Sequence, residues 1–195
     1  MGKRKNFYIP FDKKVEKYLR KGEFLGSGHN GIVYSLPKNR VIKIFNDPKV
    51  CEREYDILRR TKKSKYFPKV YDVGENFIVR EMVHGQRLDK YLKKNKMNKK
   101  LAHKLVGLIK EFKRLKFTKL DIRCKDIYLC DNGYLIIIDP KNNYTKKVNY
   151  PRHLMKGLKS FSALNDFFKY IKEYDEELYD YWSFRFKLYI EKKIK

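Results

Sequence analysis

Residues 119–140 read KLDIRCKDIYLCDNGYLIIIDP, and three carboxylates are set into them at fixed intervals: Asp121, Asp126 and Asp139. Asp121 is followed five positions on by Asp126. A short apolar strand, an Asp131-Asn132-Gly133 turn and the run Tyr134 to Ile138 then lead to Asp139. Asn-Gly is the favoured two-residue connection between antiparallel strands, so the middle of the stretch predicts a β-hairpin. Leu135 to Ile138 has the composition of a buried strand, and burying an unpaired carboxylate is costly, so Asp139 at its exit needs a cation or a donor to hold.

Two readings account for the three acids. One is a polar turn with a structural Asp at a strand end. The other is a magnesium ion held by two oxygen ligands, with the third carboxylate beside a substrate hydroxyl. On the second reading the segment resembles the catalytic loop and metal-binding strand of the protein kinase superfamily. In that family an Asp base is followed five residues later by a metal-binding Asn, and then by a hairpin that ends in the Asp of Asp-Phe-Gly. Asp121, Asp126 and Asp139 take those places, with Asp for Asn at the second.

The residues upstream supply the rest of the pattern. After Glu23 the chain runs FLGSGHNGIVYSLPKNRVIKIF, alternating and apolar runs around a Pro37-Lys38-Asn39 turn. Gly26, Gly28 and Gly31 form G-x-G-x-x-G. The same letters occur in dinucleotide-binding loops, but those open a helix, whereas Ile32-Val33-Tyr34 reads as a returning strand. Missing side chains let backbone amides approach phosphates closely; a plain glycine hairpin is the alternative. Lys43 is a cation in the middle of the apolar strand Val41 to Phe45, where a lysine is seldom left without a partner. Glu54 lies on a predicted helix, Cys51 to Arg60, with Glu52 as its rival. Strands are predicted at Lys69 to Val73 and Asn76 to Met82. The polar link His84-Gly85-Gln86-Arg87-Leu88 follows, and then a long helix with Leu101, Leu105, Leu108, Ile109, Phe112 and Leu115 on one face.

The resemblance therefore spans residues 24–140. It implies an α+β, bilobal protein-kinase-like fold: residues 1–22 as an N-terminal basic helix, 23–83 as a small β-rich lobe, and 84–195 as a reduced helical lobe. It implies ATP and Mg2+ (or Mn2+) as cofactors. Gly26, Ser27, Gly28, Gly31 and Val33 would cover the nucleotide, Lys43 held by Glu54 would steady its phosphates, and the backbones of Glu81 and Val83 would meet the adenine edge. Asp126 and Asp139 would hold metal, Asp121 would orient the acceptor hydroxyl, and Arg123 would neutralise the transferring phosphoryl group.

Departures from the family pattern narrow the likeness. Lys119-Leu120 stands for His-Arg, Pro140-Lys141 for Phe-Gly, Tyr128 for a Leu that floors the adenine pocket, and Arg80 for an apolar residue behind it. Only 56 residues follow Asp139, without Ala-Pro-Glu. The likeness is to compact atypical members, RIO-type and lipopolysaccharide-kinase-like enzymes. The expected activity is transfer to protein Ser or Thr hydroxyls, the chain's own included. A pseudokinase or scaffold binding an acidic partner or nucleic acid is the alternative.

Charge favours acidic partners in either case. Lys and Arg number 48 against 23 acids, a formal +25, yet 42% hydrophobic and 15% aromatic content requires a folded protein. Lys90, Lys93, Lys94, Lys96, Lys99 and Lys100 cluster within eleven residues. Three cysteines without zinc-ligand spacing, no apolar leader and no membrane-length run predict a reduced, cytoplasmic protein. Gly2 invites myristoylation, but Asn6 stands where that motif has Ser or Thr. Helices are predicted at Asp12 to Arg20, from a cap at Ser160 or Ser162 through Ile171, and from Glu176 to Ile190 with Leu178, Trp182, Phe186 and Tyr189 inward.

Overall fold

The computed structural model describes residues 13–192. The expectations for Gly2, Asn6 and the capping Asp12 lie outside the described residues. The fold is α+β, in two compact units. The first takes in the chain up to Ser64 together with Pro68–Met82, the second Lys65–Phe67 and the chain from Val83. No helix among the described residues is long and apolar enough to cross a membrane.

Among the described residues the first unit is an antiparallel five-stranded sheet with two helices. Its strands are β1 (Glu23–Gly28), β2 (Gly31–Leu36), β3 (Arg40–Phe45), β4 (Val70–Val73) and β5 (Phe77–Glu81), in the order β1-β2-β3-β5-β4. The central strand β3 is buried from Val41 to Phe45, so both faces of its two-residue period are covered. Ile42 and Ile44 join Leu36, Phe77 and Val79 in a cluster with Val15 of α1 (Lys13–Leu19). Tyr18 of α1 donates to Asp72 at 2.7 Å, and Lys14 pairs with the same carboxylate at 2.8 Å. The other helix, α2 (Pro48–Arg60), begins three residues before the apolar stripe suggests. Asp47 accepts from the Lys49 amide at 2.8 Å, and Pro48 occupies the first turn, where its missing N–H costs nothing.

The second unit carries a three-stranded sheet of β6 (Gln86–Arg87), β7 (Ile127–Leu129) and β8 (Leu135–Ile137). Around it are α3 (Leu88–Leu92), α4 (Lys99–Arg114), α5 (Arg152–Ser160), α6 (Leu164–Tyr174) and α7 (Glu176–Ile190). Asn98 caps α4 through the Leu101 amide at 2.9 Å, and the helix buries Leu101, Ala102, Leu105, Val106, Leu108, Ile109 and Phe112. Asp175 caps α7 in the same way, and Trp182 of α7 stacks on Phe167 of α6 with ring centroids 6.3 Å apart. Trp182 and Phe186 are buried, whereas Leu178 and Tyr189 are half-buried.

Three details differ from the sequence expectation. The β7–β8 turn is not a two-residue Asn-Gly loop. The Gly133 amide donates to Cys130 O at 2.7 Å and only Gly133 turns left-handed (φ 78°), which is a longer turn around Asp131-Asn132 followed by a left-handed glycine. Neither Ser160 nor Ser162 caps a helix start. Both belong to the end of α5, a helix absent from the sequence reading: Ser162 is left-handed (φ 54°), its amide donates to Lys159 O, and the Ala163 amide donates to Leu158 O. That pair of bonds is a Schellman stop. α6 then begins at Leu164 without a side-chain cap.

Candidate active site

In the first unit the register lines up the nucleotide-site candidates. Gly26 faces Val33 across β1 and β2, Ser27 faces Ile32, and Gly28 faces Gly31; Val33 in turn faces Lys43 across β2 and β3. The glycines divide by cause. Gly31 has φ 149°, and a Cβ there would stand 1.9 Å from the Ile44 carbonyl oxygen, so the fold itself forbids a side chain. At Gly26 and Gly28 a Cβ would meet nothing within 4 Å. Internal packing gives no reason for their bareness.

Lys43 points to the α2 side of β3, where its Nζ donates to Glu54 Oε2 at 2.8 Å and Oε1 at 3.1 Å. Both residues are under 5% exposed, whereas Glu52, the alternative acid, is exposed. Glu54 faces inward because it lies on the stripe with Cys51, Ile57 and Leu58. Burial, with Glu54 nearby, pushes the Cys51 thiol up to about 12, and burial does the same to Cys124, so neither is a thiolate nucleophile. The Glu81 amide donates to Lys69 O at 2.8 Å, and the Glu81 carbonyl accepts from the buried Arg80 guanidinium at 3.1 Å. Val83 follows two residues after the end of β5.

In the second unit Asp121, Arg123, Asp126 and Asp139 line one cavity of about 300 Å³. The loop before β7 supplies the first three. A one-turn 3-10 helix at Cys124–Asp126 sets Asp126, whose carbonyl accepts from the Ile138 amide at 3.0 Å and so fixes it beside the exit of β8. Asp139 is left-handed (φ 53°), a conformation that Asp tolerates better than most residues and that turns the chain sharply out of the strand. Arg123 grips Asp126 with two bonds, 2.7 Å and 3.0 Å. Its side chain is 48% exposed, so it can leave that carboxylate without unfolding anything.

Asp121 is 1% exposed and fully engaged. Oδ1 accepts from the His153 amide at 2.9 Å, Oδ2 meets His153 Nδ1, and Arg152 Nε stands 4.0 Å from Oδ2. Both partners come from the first turn of α5. Sequence reasoning missed them because α5 carries no side-chain capping signal of its own: the capping carboxylate is Asp121, thirty-two residues earlier. The basic segment after Asp139 is tied to the same loop. The Leu120 amide donates to Val148 O, that of Val148 to Thr118 O, and Lys119 Nζ to Lys141 O at 3.0 Å. Burial pushes the Lys119 ammonium down, opposed by Asp121 and Asp126. Lys119, Lys141, Lys146 and Arg152 also line it, giving the cavity an excess of cations over its three acids.

Chemically the cavity suits an anion accompanied by a hard cation. Among the described residues no cluster of three or more His, Cys, Asp or Glu forms a metal cage. Asp126 and Asp139 are two oxygen donors, which is what magnesium takes from a protein when phosphate and water fill the remaining positions. With Arg123 released from the Asp126 oxygens it holds, the two carboxylates would suit magnesium bound together with a phosphate-bearing ligand.

The sequence matches no protein-family model and no curated protein. Similar solved structures include the Cydia pomonella granulovirus kinase PK-1, with TM-score 0.48 and 18% identity over 64% of this chain and 53% of that one. Another is APH(2")-IIa in its ternary complex with streptomycin and ATP, with TM-score 0.43 and 19% identity over 53% of this chain and 40% of that one. A third is WbdD with the kinase inhibitor LY294002, with TM-score 0.46 and 18% identity over 60% of this chain and 32% of that one. The chain spans about half or less of the length of each.

Proposed function

We propose that the chain is an ATP- and magnesium-dependent phosphotransferase acting on Ser or Thr hydroxyls of proteins, its own included. The observation that supports this most is the lining of one cavity by Asp121, Asp126 and Asp139, residues whose spacing has no structural period in common. In this reading Asp126 and Asp139 hold the metal, which neutralises phosphate charge, and Lys43, fixed by Glu54, steadies the phosphates. Gly26 and Gly28 let the backbone of the β1–β2 hairpin close on the nucleotide, and Glu81 and Val83 meet the base. Asp121 marks the acceptor end. Lys119, Lys141 and Lys146 favour a protein acceptor with an acidic surface.

Incubation of the purified protein with labelled ATP and magnesium or manganese, beside Asp121→Asn, tests the reading. Label on the chain or on an added acceptor, lost in the variant, is the expected result. Absence of both label and ATP binding would overturn it, and ATP binding without transfer would favour the scaffold alternative, for which the exposed Lys93, Lys94, Lys96 and Lys100 offer an anion-binding face.

The glycines give a separate expectation. Gly26→Ala and Gly28→Ala should leave stability unchanged or raised by up to about 1 kcal/mol, since only unfolded-chain freedom changes, while ATP affinity falls. Gly31→Ala should lower the melting temperature. Thermal melts with and without ATP distinguish the two classes; equal destabilisation by all three would assign Gly26 and Gly28 to the fold alone.

A further inference from the structure

We infer that the group receiving the acceptor's proton is the imidazole of His153, with Asp121 as its positioning residue. This rests on the phosphotransferase reading and changes which atom does the chemistry. Asp121 is badly placed to meet a substrate hydroxyl itself, being 1% exposed with both oxygens committed to α5. His153 is the opposite: its side chain is 43% exposed and lines the cavity that Asp121, Asp126 and Asp139 share.

The contact between Nδ1 and Asp121 Oδ2 fixes the ring's chemistry. A carboxylate accepts, so Nδ1 is the ring's donor to Asp121, and in the neutral ring the lone pair is the one on Nε2. The backbone bond from the His153 amide to Oδ1 holds the same residue at a second point, so the ring is oriented from both ends of one carboxylate. The Tyr189 ring stands edge-on to the imidazole with centroids 6.4 Å apart, and the Arg152 guanidinium lies 5.4 Å from that tyrosine ring. A buried acid orienting an accessible imidazole is the arrangement by which proteins turn a hydroxyl into a nucleophile.

The step balances with a nucleoside triphosphate as phosphoryl donor. The acceptor hydroxyl oxygen forms a bond to the γ-phosphorus while the bond from that phosphorus to the β–γ bridging oxygen breaks. The nucleoside diphosphate leaves with the electron pair, and the hydroxyl proton passes to His153 Nε2. Asp121 balances the imidazolium charge, and the exposed ring returns the proton to solvent.

His153→Asn is the discriminating variant, because its amide nitrogen takes the place of Nδ1 and keeps a donor for Asp121 while removing Nε2. Transfer from labelled ATP is measured for wild type, His153→Asn and His153→Ala, the last with and without added imidazole, and ATP binding is followed by thermal shift. The inference expects His153→Asn to bind ATP normally and to lose transfer by about 10²-fold or more, the range of general-base catalysis, and imidazole to restore transfer to His153→Ala. Transfer by His153→Asn within a few-fold of wild type, loss of ATP binding in step with transfer, or no rescue by imidazole would each overturn the role of His153 and leave the phosphotransferase reading standing. A wild-type protein that transfers nothing would overturn both.

Discussion

Asp139→Asn is expected to reduce magnesium-dependent transfer by about 10²- to 10³-fold or more, the scale on which loss of one electrostatic group in a catalytic site is felt. The substitution is nearly isosteric, and Asn accepts the left-handed conformation (φ 53°) that Asp139 adopts, so the exit from β8 survives. On the proposed role what changes is the charge on an oxygen ligand, and magnesium would depend on that charge because it binds proteins through few carboxylates. With the fold intact, stability should shift by no more than about 0.5 kcal/mol, or roughly 1–2 °C in melting temperature for a chain of this length. Transfer rates against magnesium concentration, read beside a thermal melt, separate the outcomes. A drop in melting temperature of many degrees would make Asp139 a structural turn residue, the plainer of the two readings that its sequence allows. Unchanged transfer would remove it from the site.

Much of this arrangement was legible in the chain because its signals are local. The alternation from Phe24 to Phe45 specifies paired strands, and a lysine among Val41, Ile42, Ile44 and Phe45 announces a buried cation that needs an acid within reach. The choice of Glu54 over Glu52 follows from the stripe it shares with Ile57 and Leu58. What escaped was non-local. The end of α7 at Ile190 matches the sequence expectation, whereas α5 ends at left-handed Ser162 (φ 54°), a residue type that carries no stop signal. α5 lacks a capping side chain beside it, and its cap arrives from Asp121 through tertiary structure. At α5 the residues beside the helix give no sign of its start, because its partner comes from elsewhere in the chain. The same cause hid the engagement of Asp121, whose partner His153 lies thirty-two residues on.

Glu54→Leu alone should destabilise the first unit by roughly 3–5 kcal/mol, the scale on which removing one partner of a buried ion pair is felt. Lys43 is 4% exposed, its ammonium lies 4.6 Å from the Phe45 ring, and the Glu54 carboxylate stands 2.8 Å from it. At about 2–4 °C per kcal/mol the melting temperature should fall by on the order of 10 °C. The double variant Lys43→Met with Glu54→Leu removes both charges and fills the same space with apolar volume, which is commonly neutral or stabilising by about 1–4 kcal/mol relative to the ion pair. Its melting temperature should therefore return to that of the wild type or exceed it. Transfer from ATP should stay lost in both variants. That divergence matters because a buried ion pair is an inefficient way to stabilise a sheet, and its presence is better explained by a ligand that needs a fixed ammonium. Were the double variant to recover stability and transfer together, Lys43 and Glu54 would be packing residues, and the nucleotide phosphates would have to be held by other cations.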